Sequence, residues 1–378
     1  MEVTPKPILK ELAALFLKLG IIGFGGPAAH IAMMQQEVVE KRKWLTEQEF
    51  LDLLGATNLI PGPNSTEMAI HIGQEKGGWR GLVIAGACFI FPAVLIVSFL
   101  AWLYKDYGQL PQVQPFIYGI KPAIIAVILG AVFPLAKKSI KSVELAILGI
   151  LVLVLSLLNI NEIYLMFGAG LLAMLVARIR NRQKIKFNGI VPLALLPPTV
   201  PVLLSVSNVN LFLIFLKIGA ILYGSGYVLF AFLDTELVTT GFMSRQQLID
   251  AIAVGQFTPG PVFTSVTFIG YQINGFWGAV VSTVGIFLPS FVFVALLNPV
   301  VKKMRKSTLF SLFLDAVNVA SVAIIAAICL IMGKETITDV RTVVIAVLSM
   351  AVVFRYRKVN SAFIVIGGCL AGYLLSLI

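Results

Sequence analysis

An apolar run from Leu51 to Ile72 is long enough to cross a lipid bilayer, but a Pro–Gly–Pro motif interrupts its middle. Pro61 and Pro63 lack backbone donors and clash with a continuing helix, so the helix must end and restart around Gly62. Lipid cannot satisfy the backbone groups that such a break leaves unpaired, so this backbone must lie inside protein or face a polar cavity. A helix that restarts near Pro63 directs free N–H groups and its positive dipole end into that cavity, which suits an anion.

The same device occurs a second time, because Pro259–Gly260–Pro261 interrupts another apolar run 198 residues further along the chain. Other matches follow in order, with an offset that drifts from 199 at Lys18 and Lys217 to 197 at Pro92 and Pro289. A slowly drifting offset is what a duplicated gene with small loop deletions leaves behind. We therefore predict two repeats, residues 1–186 and 208–378, joined by a proline-rich linking span at residues 187–207.

The composition predicts a membrane protein, since 58% of the 378 residues are hydrophobic, 12% are charged, and the mean hydropathy is +0.95. These values exclude an ordinary soluble domain and predict an all-α, polytopic protein embedded in the lipid bilayer. Most of the net charge of +11 lies in short runs between apolar segments, where it sets membrane topology, so nucleic acid is not an expected partner. The three cysteines show no metal or disulfide spacing, and neither a metal nor a cofactor is predicted.

Basic clusters between the apolar segments indicate how the two repeats are oriented. We count thirteen candidate spans, and with the N-terminus inside, four clusters fall on the cytoplasmic side: residues 137–141, 178–186, 302–306 and 355–358. The cluster at residues 137–141 follows the fourth span of the first repeat, whereas the cluster at residues 302–306 follows the third span of the second repeat. Equivalent loops of the two repeats therefore carry opposite charge bias. Two inverted repeats of about six spans each, with broken or re-entrant helices, are therefore predicted, which is a transporter plan. The cluster Lys41–Arg42–Lys43 disagrees, unless the first two segments are re-entrant or this stretch lies along the interface.

Four motifs carry a family resemblance: Phe24–Gly25–Gly26–Pro27, Lys41–Arg42–Lys43–Trp44–Leu45, the stretch from Asn58 to Asn64, and Gly78–Trp79–Arg80–Gly81. Together they resemble the chromate ion transporter family in its duplicated, two-domain form, over most of both halves. The resemblance implies a multi-pass transporter of the inner (plasma) membrane for chromate or a related oxyanion, usually described as exporting chromate. In the second half Tyr223–Gly224–Ser225–Gly226 replaces the first motif, so the halves are not expected to contribute equally.

The candidate anion site combines the two breaks with two matched lysines. Lys18 and Lys217 lie inside apolar runs, where a lysine costs about 2.5–3.5 kcal/mol on insertion scales, so both are expected to attract the anion unless they snorkel to the interface. The matched Glu37 and Glu236 are expected to form ion pairs at helix ends or in loops. Amides and hydroxyls at the breaks can cap the freed helix ends or donate to oxyanion oxygens, and both roles stay open. The full set is Lys18, Gly25, Gly26, Pro27, Asn58, Pro61, Gly62, Pro63, Asn64, Ser65, Thr66, Lys217, Gly224, Ser225, Gln256, Thr258, Pro259, Gly260 and Pro261.

Glu67 and His71 form a further candidate pair, because residues four apart share one face of a helix. A carboxylate and an imidazole beside an anion site could carry a coupling proton. The alternative is a hydrogen-bonded pair that only stabilises packing. We prefer this alternative, since Ser265 and Ile269 stand near their places in the second half.

The motifs that mark enzymes are missing from the sequence. It contains no phosphate-binding loop, no His-Glu-x-x-His and no Gly-x-Ser-x-Gly elbow, so we predict that the protein is not an enzyme. Two functions remain: a secondary transporter for a tetrahedral dianion such as chromate or sulfate, and an anion channel of the same architecture. The expected partners are a small oxyanion and the lipid bilayer, and a homodimer stays open.

The inverted arrangement predicts that the loops after Tyr104 and after Val300 lie on opposite faces of the membrane. After replacement of the native cysteines, single cysteines placed in these loops should react with an impermeant maleimide from opposite sides. Labelling of both loops from the same side would contradict the inversion.

Overall fold

The computed structural model describes residues 9–108, 110–180, 207–224, 226–304, 307–356 and 359–377. Residues 187–206 of the predicted linking span, Ser225 and parts of three basic clusters lie outside the described residues. Throughout the described ranges the chain is helical and contains no β-strand, which agrees with the predicted all-α class.

The described helices form two series of seven that correspond one to one, which confirms a duplicated helical fold. The first series is α1 (Leu9–Ile22), α2 (Gly26–Gln35), α3 (Glu47–Thr57), α4 (Asn64–Tyr107), α5 (Gln114–Ser139), α6 (Val143–Leu157) and α7 (Glu162–Arg180). The second is α8 (Asn208–Ile221), α9 (Val228–Leu233), α10 (Arg245–Phe257), α11 (Ser265–Met304), α12 (Thr308–Thr336), α13 (Val340–Arg355) and α14 (Ser361–Ser376). In both series the second helix continues into a short π-helical segment, at Gln36–Lys41 and at Asp234–Val238.

The third helix of each series begins with the same capping device. The Thr46 side chain accepts a hydrogen bond from the backbone N–H of Glu49, and the Glu49 carboxylate accepts one from the Thr46 backbone. Ser244 and Gln247 form the equivalent capping box at the start of α10. Because a capping box satisfies two orphan donors at once, α3 and α10 start at a defined residue in each repeat.

The long helices α4 and α11 are each two helices joined at a glycine. Gly78 has φ 61° and ψ −151°, and Gly275 has φ 62° and ψ −150°, a region of backbone space that is almost restricted to glycine. On either side of the bend the two arms touch through small residues, because a Cβ added at Gly73 would collide with the backbone of Gly81. Each long helix is therefore a tightly packed helical hairpin with a short first arm.

The segments that contain the glycine and proline motifs are divided in the structure, as the predicted broken helices require. The first apolar segment is two short helices, α1 and α2, and the run from Leu51 to Ile72 is divided between α3 and the start of α4. Among the described residues, five helices are long and apolar enough to cross a membrane: Asn64–Tyr107, Gln114–Ser139, Glu162–Ile179, Val262–Leu296 and Leu309–Thr336. Each of the shorter apolar segments is therefore divided between two helices by a break in its backbone.

Helices of each repeat pack on helices of the other repeat. Within each repeat the first helix packs on the fourth, so α1 contacts α4 and α8 contacts α11, and the two hairpins α4 and α11 pack on each other at the centre. Further out, α5 of the first repeat packs on α13 and α14 of the second, whereas α12 of the second packs on α6 and α7 of the first. Neither repeat therefore has a complete core of its own.

Alanine at Gly78 should lower the stability of the protein, since it forces a Cβ into a glycine-only conformation. A Cβ at this position meets no atom within 4 Å, so the cost is conformational and should be about 1–3 kcal/mol. Gly168 is the matched control, because it is helical in α7 and has equally open surroundings, so Gly168→Ala should be neutral or stabilising. Thermal unfolding in detergent compares the two, and equal melting temperatures would contradict the hairpin geometry.

Candidate functional site

Both Pro–Gly–Pro motifs lie in irregular backbone between a capped helix and a restarting one. The first lies between the end of α3 and Asn64, and the second lies between the end of α10 and a short 3₁₀ turn at Val262–Thr264. All six proline and glycine residues of the two motifs are buried. The broken backbone is thus enclosed by protein, as the absence of hydrogen-bonding groups in lipid requires.

Each break is completed by the opposite repeat through one backbone hydrogen bond. The Gly62 N–H donates to the Leu222 carbonyl at 2.8 Å, and the Gly260 N–H donates to the Gly23 carbonyl at 2.7 Å. Gly23 and Leu222 hold matched places just beyond α1 and α8. The two bonds are therefore the same interaction, formed once with its donor in the first repeat and once with its donor in the second. No pattern in the sequence indicated these bonds.

The motif glycines also touch the second arm of the opposite hairpin. Gly62 has φ +136°, and a Cβ there would collide with Glu67 and with Ser290 of α11. Gly260 has φ +92°, and a Cβ there would collide with Ala93 of α4. Ser290 and Ala93 each follow the matched prolines of the two hairpins. The match between those prolines was visible in the sequence and could have pointed to Ser290.

The helices that restart after the breaks have no side-chain cap. Pro63 precedes α4 and Pro261 precedes the 3₁₀ turn, and neither position supplies a capping hydrogen bond from its side chain. Three other helices, α2, α5 and α9, also begin without a side-chain cap, whereas α3, α6, α8, α10, α12, α13 and α14 begin at a capping Ser, Thr, Asp or Asn. In α4 the first intrahelical bond runs from Glu67 N–H to the Pro63 carbonyl, at 3.0 Å. The N–H groups of residues 64–66 therefore lie ahead of the helical ladder, where helix starts bind anions.

Some of the predicted polar residues satisfy the helix ends themselves. The Asn64 amide donates to Asn58 at 3.1 Å, and Asn58 donates to the carbonyl of Leu54 at 3.0 Å. In the second repeat, Thr258 donates to the Val254 carbonyl at 2.9 Å. Asn58 and Thr258 therefore bond to carbonyls at the ends of α3 and α10, whereas Asn64 bonds to the Asn58 side chain. Ser65 is buried in the first turn of α4.

Other polar groups at the breaks are buried without a hydrogen-bond partner among the described residues. They are the hydroxyls of Thr66 and Ser265 and the amide nitrogen of Gln256. A buried polar group without a partner is costly, and each such group in a folded protein needs an explanation. Two of these three side chains are hydroxyls in the first turn of the restarting helices, next to the uncapped N–H groups.

The glycine motifs after α1 and α8 are turns beside the opposite break. Gly25, Gly26 and Gly224 have φ values of +103°, +78° and +97°. Gly25 and Gly224 are exposed, and Gly26 and Pro27 are half-buried at the start of α2. These turns follow the carbonyls that accept the inter-repeat bonds, so any change in them changes the support of the opposite break.

The two matched lysines, which we expected to attract the anion, are each paired with a carboxylate of their own repeat. Lys18 lies 3.0 Å from Glu37, and Lys217 lies 2.6 Å from Glu236. Lys41 and Arg42, two members of the basic cluster that disagreed with the predicted topology, also contact Glu37. The ion pairs predicted for the two glutamates are confirmed. A lysine that is paired with a carboxylate adds little positive electrostatic potential at the breaks. The N-termini of the restarting helices are therefore the main source of positive potential there.

Glu67 and His71 do not form the hydrogen-bonded pair that we preferred. Glu67 is 0% exposed and accepts a hydrogen bond from Ser290 at 3.3 Å, while its Oε2 has no partner among the described residues. His71 is 2% exposed, and neither ring nitrogen has a described partner. The carboxylate is directed toward Gly62 and the second repeat rather than along its own helix.

A second charged contact between the repeats was also missed. Lys121 of α5 lies 3.4 Å from Asp250 of α10, and the Tyr104 hydroxyl donates to the same aspartate at 2.6 Å. A separate cavity of about 660 Å³ lies between the ends of α5, α13 and α14, and its lining includes Tyr118 and Asp339 but none of the candidate residues.

A duplicated helical fold with two buried backbone breaks and uncapped helix starts defines a multi-pass membrane transporter. The chain matches the family model of the chromate transporter at residues 10–174 and again at residues 209–373. It therefore belongs to the chromate transporter family, which is a family of transporters and not of enzymes.

Similar proteins cover nearly the whole chain. It is 32% identical to the chromate transport protein of Cupriavidus metallidurans over 98% of this chain and 94% of that protein. It is 31% identical to the probable chromate transport protein of Synechococcus elongatus over 98% and 97%. The uncharacterized transporter YwrA of Bacillus subtilis is 28% identical over 43% of this chain and 93% of its own length. No solved structure gives a significant match.

Replacing Lys217 by methionine should destabilise the protein by about 2 kcal/mol, because it leaves the largely buried Glu236 without its partner. The double variant Lys217→Met with Glu236→Gln should regain most of that stability and should keep its affinity for anions. Melting temperatures and anion affinities of the single and double variants separate the two roles. If the double variant is stable but binds anions weakly, Lys217 attracts the anion after all.

Proposed function

We propose that this protein is a secondary carrier that moves chromate, or a related tetrahedral oxyanion such as sulfate, across the cytoplasmic membrane. Membership of the chromate transporter family and similarity to two proteins named for chromate transport support the substrate class. The proposed direction is export of chromate from the cell. The carrier acts as a monomer or as a homodimer.

The observation that carries this proposal is the pair of uncapped helix starts at the buried breaks. A tetrahedral oxyanion presents four oxygen acceptors and needs donors around it, with few competing carboxylates. The first break offers the N–H groups of residues 64–66 and the unpartnered Thr66 hydroxyl. The second break offers the unpartnered hydroxyl of Ser265 and the amide of Gln256. Charge-assisted bonds from such donors are about twice as strong as neutral ones.

The cross-repeat bonds favour a carrier over a channel. Both breaks are buried, and each is joined to the other repeat by a single backbone hydrogen bond. We propose that the segments around the two breaks move against each other by releasing and remaking these bonds, so that the breaks face each side of the membrane in turn. Alternating access around a fixed site is the mode of inverted-repeat carriers.

Thr66→Val should weaken the apparent affinity for chromate about tenfold or more while leaving folding intact. Valine keeps the shape of threonine but removes a hydroxyl that has no hydrogen-bond partner in the described part of the chain, so the loss falls on the bound anion. Saturable uptake of radiolabelled chromate and sulfate into proteoliposomes, with purified full-length protein, gives the affinity and tests the proposed function.

Thr57→Val is the matched control for this substitution. The Thr57 hydroxyl donates to the Leu54 carbonyl at 2.9 Å, so its loss should lower stability and leave the affinity unchanged. Equal affinities for the wild type and Thr66→Val would remove Thr66 from the site. Large unitary currents without saturation would identify a channel, and absence of any oxyanion flux would contradict the proposed function.

A further inference from the structure

Glu67 is an acidic group at the place where the structure otherwise favours an anion. It lies in the first turns of α4, directly behind the uncapped helix start, and it is fully buried. One carboxylate oxygen accepts a hydrogen bond from Ser290, and the other has no partner among the described residues. The carboxylate contacts Gly62, so it lies against the break itself.

Few groups face this carboxylate, and none of them is a basic residue that neutralises it. From α11 the neutral Ser290 contacts it, and from the turn after α8 the phenol of Tyr223 lies within electrostatic range. On its own helix His71 lies one turn further along, with no hydrogen bond to it. Among the described residues no lysine or arginine forms an ion pair with Glu67. Lys18 and Lys217, the two lysines of the predicted anion site, form ion pairs with Glu37 and Glu236 instead.

The acid is present at only one of the two breaks. Ser265 holds the matched position in the second repeat, and Ala93 holds the place that matches Ser290. The scaffold of the breaks is thus duplicated, whereas the carboxylate and the hydroxyl that contacts it occur once. A group that served only to complete the fold would be needed at both breaks.

An ionised Glu67 and a bound dianion exclude each other. Both would be negative, both would be withdrawn from water, and no described cation lies between them. A protonated Glu67 removes this repulsion and turns the carboxyl into an O–H donor for an oxyanion oxygen. The uncapped helix start can therefore accept a dianion when Glu67 carries a proton.

We propose that Glu67 is the proton-binding site of this transporter, and that one proton crosses the membrane together with each oxyanion in the same direction. The inference rests on the proposed function. The loaded carrier then moves one net negative charge, the sum of a dianion and a proton. An interior-negative membrane potential would drive this charge outward, in the direction of export, whereas an acidic exterior would drive uptake.

Accumulation of radiolabelled chromate in proteoliposomes tests this coupling directly. The membrane potential is held at zero with valinomycin and equal potassium, and the pH difference is imposed on the alkaline side of neutrality, where chromate stays a dianion. An exterior more acidic by about one pH unit should then drive about tenfold accumulation by the wild type. Glu67→Gln should show no accumulation but should retain chromate–chromate exchange, because the amide mimics the protonated carboxyl.

Two further variants make the test specific. Glu67→Asp should retain the response to the pH gradient, since it keeps a titratable carboxyl. Glu162→Gln is the matched control: it removes a half-buried carboxylate of α7 that contacts Thr235 outside the site, and it should behave as the wild type. Loss of the pH response in His71→Gln but not in Glu67→Gln would assign the proton to the imidazole and overturn the proposal.

The remaining outcomes separate failure of the coupling from failure of the proposed function. Saturable chromate uptake by the wild type that ignores the pH gradient would overturn the coupling and leave the carrier intact. A second measurement needs no variant: an entrapped pH dye should report one proton entering per sulfate or chromate taken up, and no proton movement would overturn the proposal. Absence of all oxyanion flux in the wild type would instead reject the carrier.

Discussion

Two backbone hydrogen bonds between the repeats support the rest of this structure. A chain that breaks its helices inside a membrane protein must find partners for the exposed N–H and C=O groups, because lipid offers none. Here each repeat supplies the partner for the other, through Gly62 with Leu222 and Gly260 with Gly23. The same exchange governs the outer helices, where α5 and α12 each pack on the last two helices of the opposite repeat. Each break therefore depends on the correct docking of the other half of the chain.

The sequence predicts the features of this fold that depend on residues within one repeat, but not the contacts between the repeats. Breaks at Gly62 and Gly260 follow from local chemistry, since proline cannot continue a helix, and matched offsets identify the duplication. Ion pairs at Glu37 and Glu236 also follow, because both partners lie within one repeat at matched spacing.

The cross-repeat contacts could not be predicted in the same way. Nothing near Gly62 in the sequence indicates that Leu222 accepts its hydrogen bond, because hydrophobic periodicity carries no information on long-range partners. For the same reason the i to i+4 spacing suggested that Glu67 contacts His71, whereas the carboxylate contacts Ser290 on the other repeat. The cost of burial showed that Lys18 and Lys217 each need a reason to lie in an apolar run, but it did not identify the carboxylate that pairs with each of them.

The two repeats have matching backbones but different polar and charged side chains, and this difference is informative about function. Gly78 and Gly275 have nearly the same backbone angles, and both third helices start with capping boxes. Polar and charged groups do not repeat in this way. Glu67 faces Ser290, whereas the second break faces Ala93, and Lys121 pairs with Asp250 although Asn318 holds the matching place of that lysine.

This difference bears on how the proposed carrier would change state. Two identical repeats would exchange their conformations between two states of equal energy, and nothing in the protein would tie the exchange to a second ion. Placing a buried carboxylate at one break makes the two states unequal by an amount that depends on whether the carboxyl is charged. A ligand can shift such an equilibrium only by binding one state better than the other, and a proton on Glu67 meets that condition because it removes a buried charge from one break alone. In the proposed carrier the duplicated backbone would supply the motion, and the acidic group present at one break alone would supply the coupling.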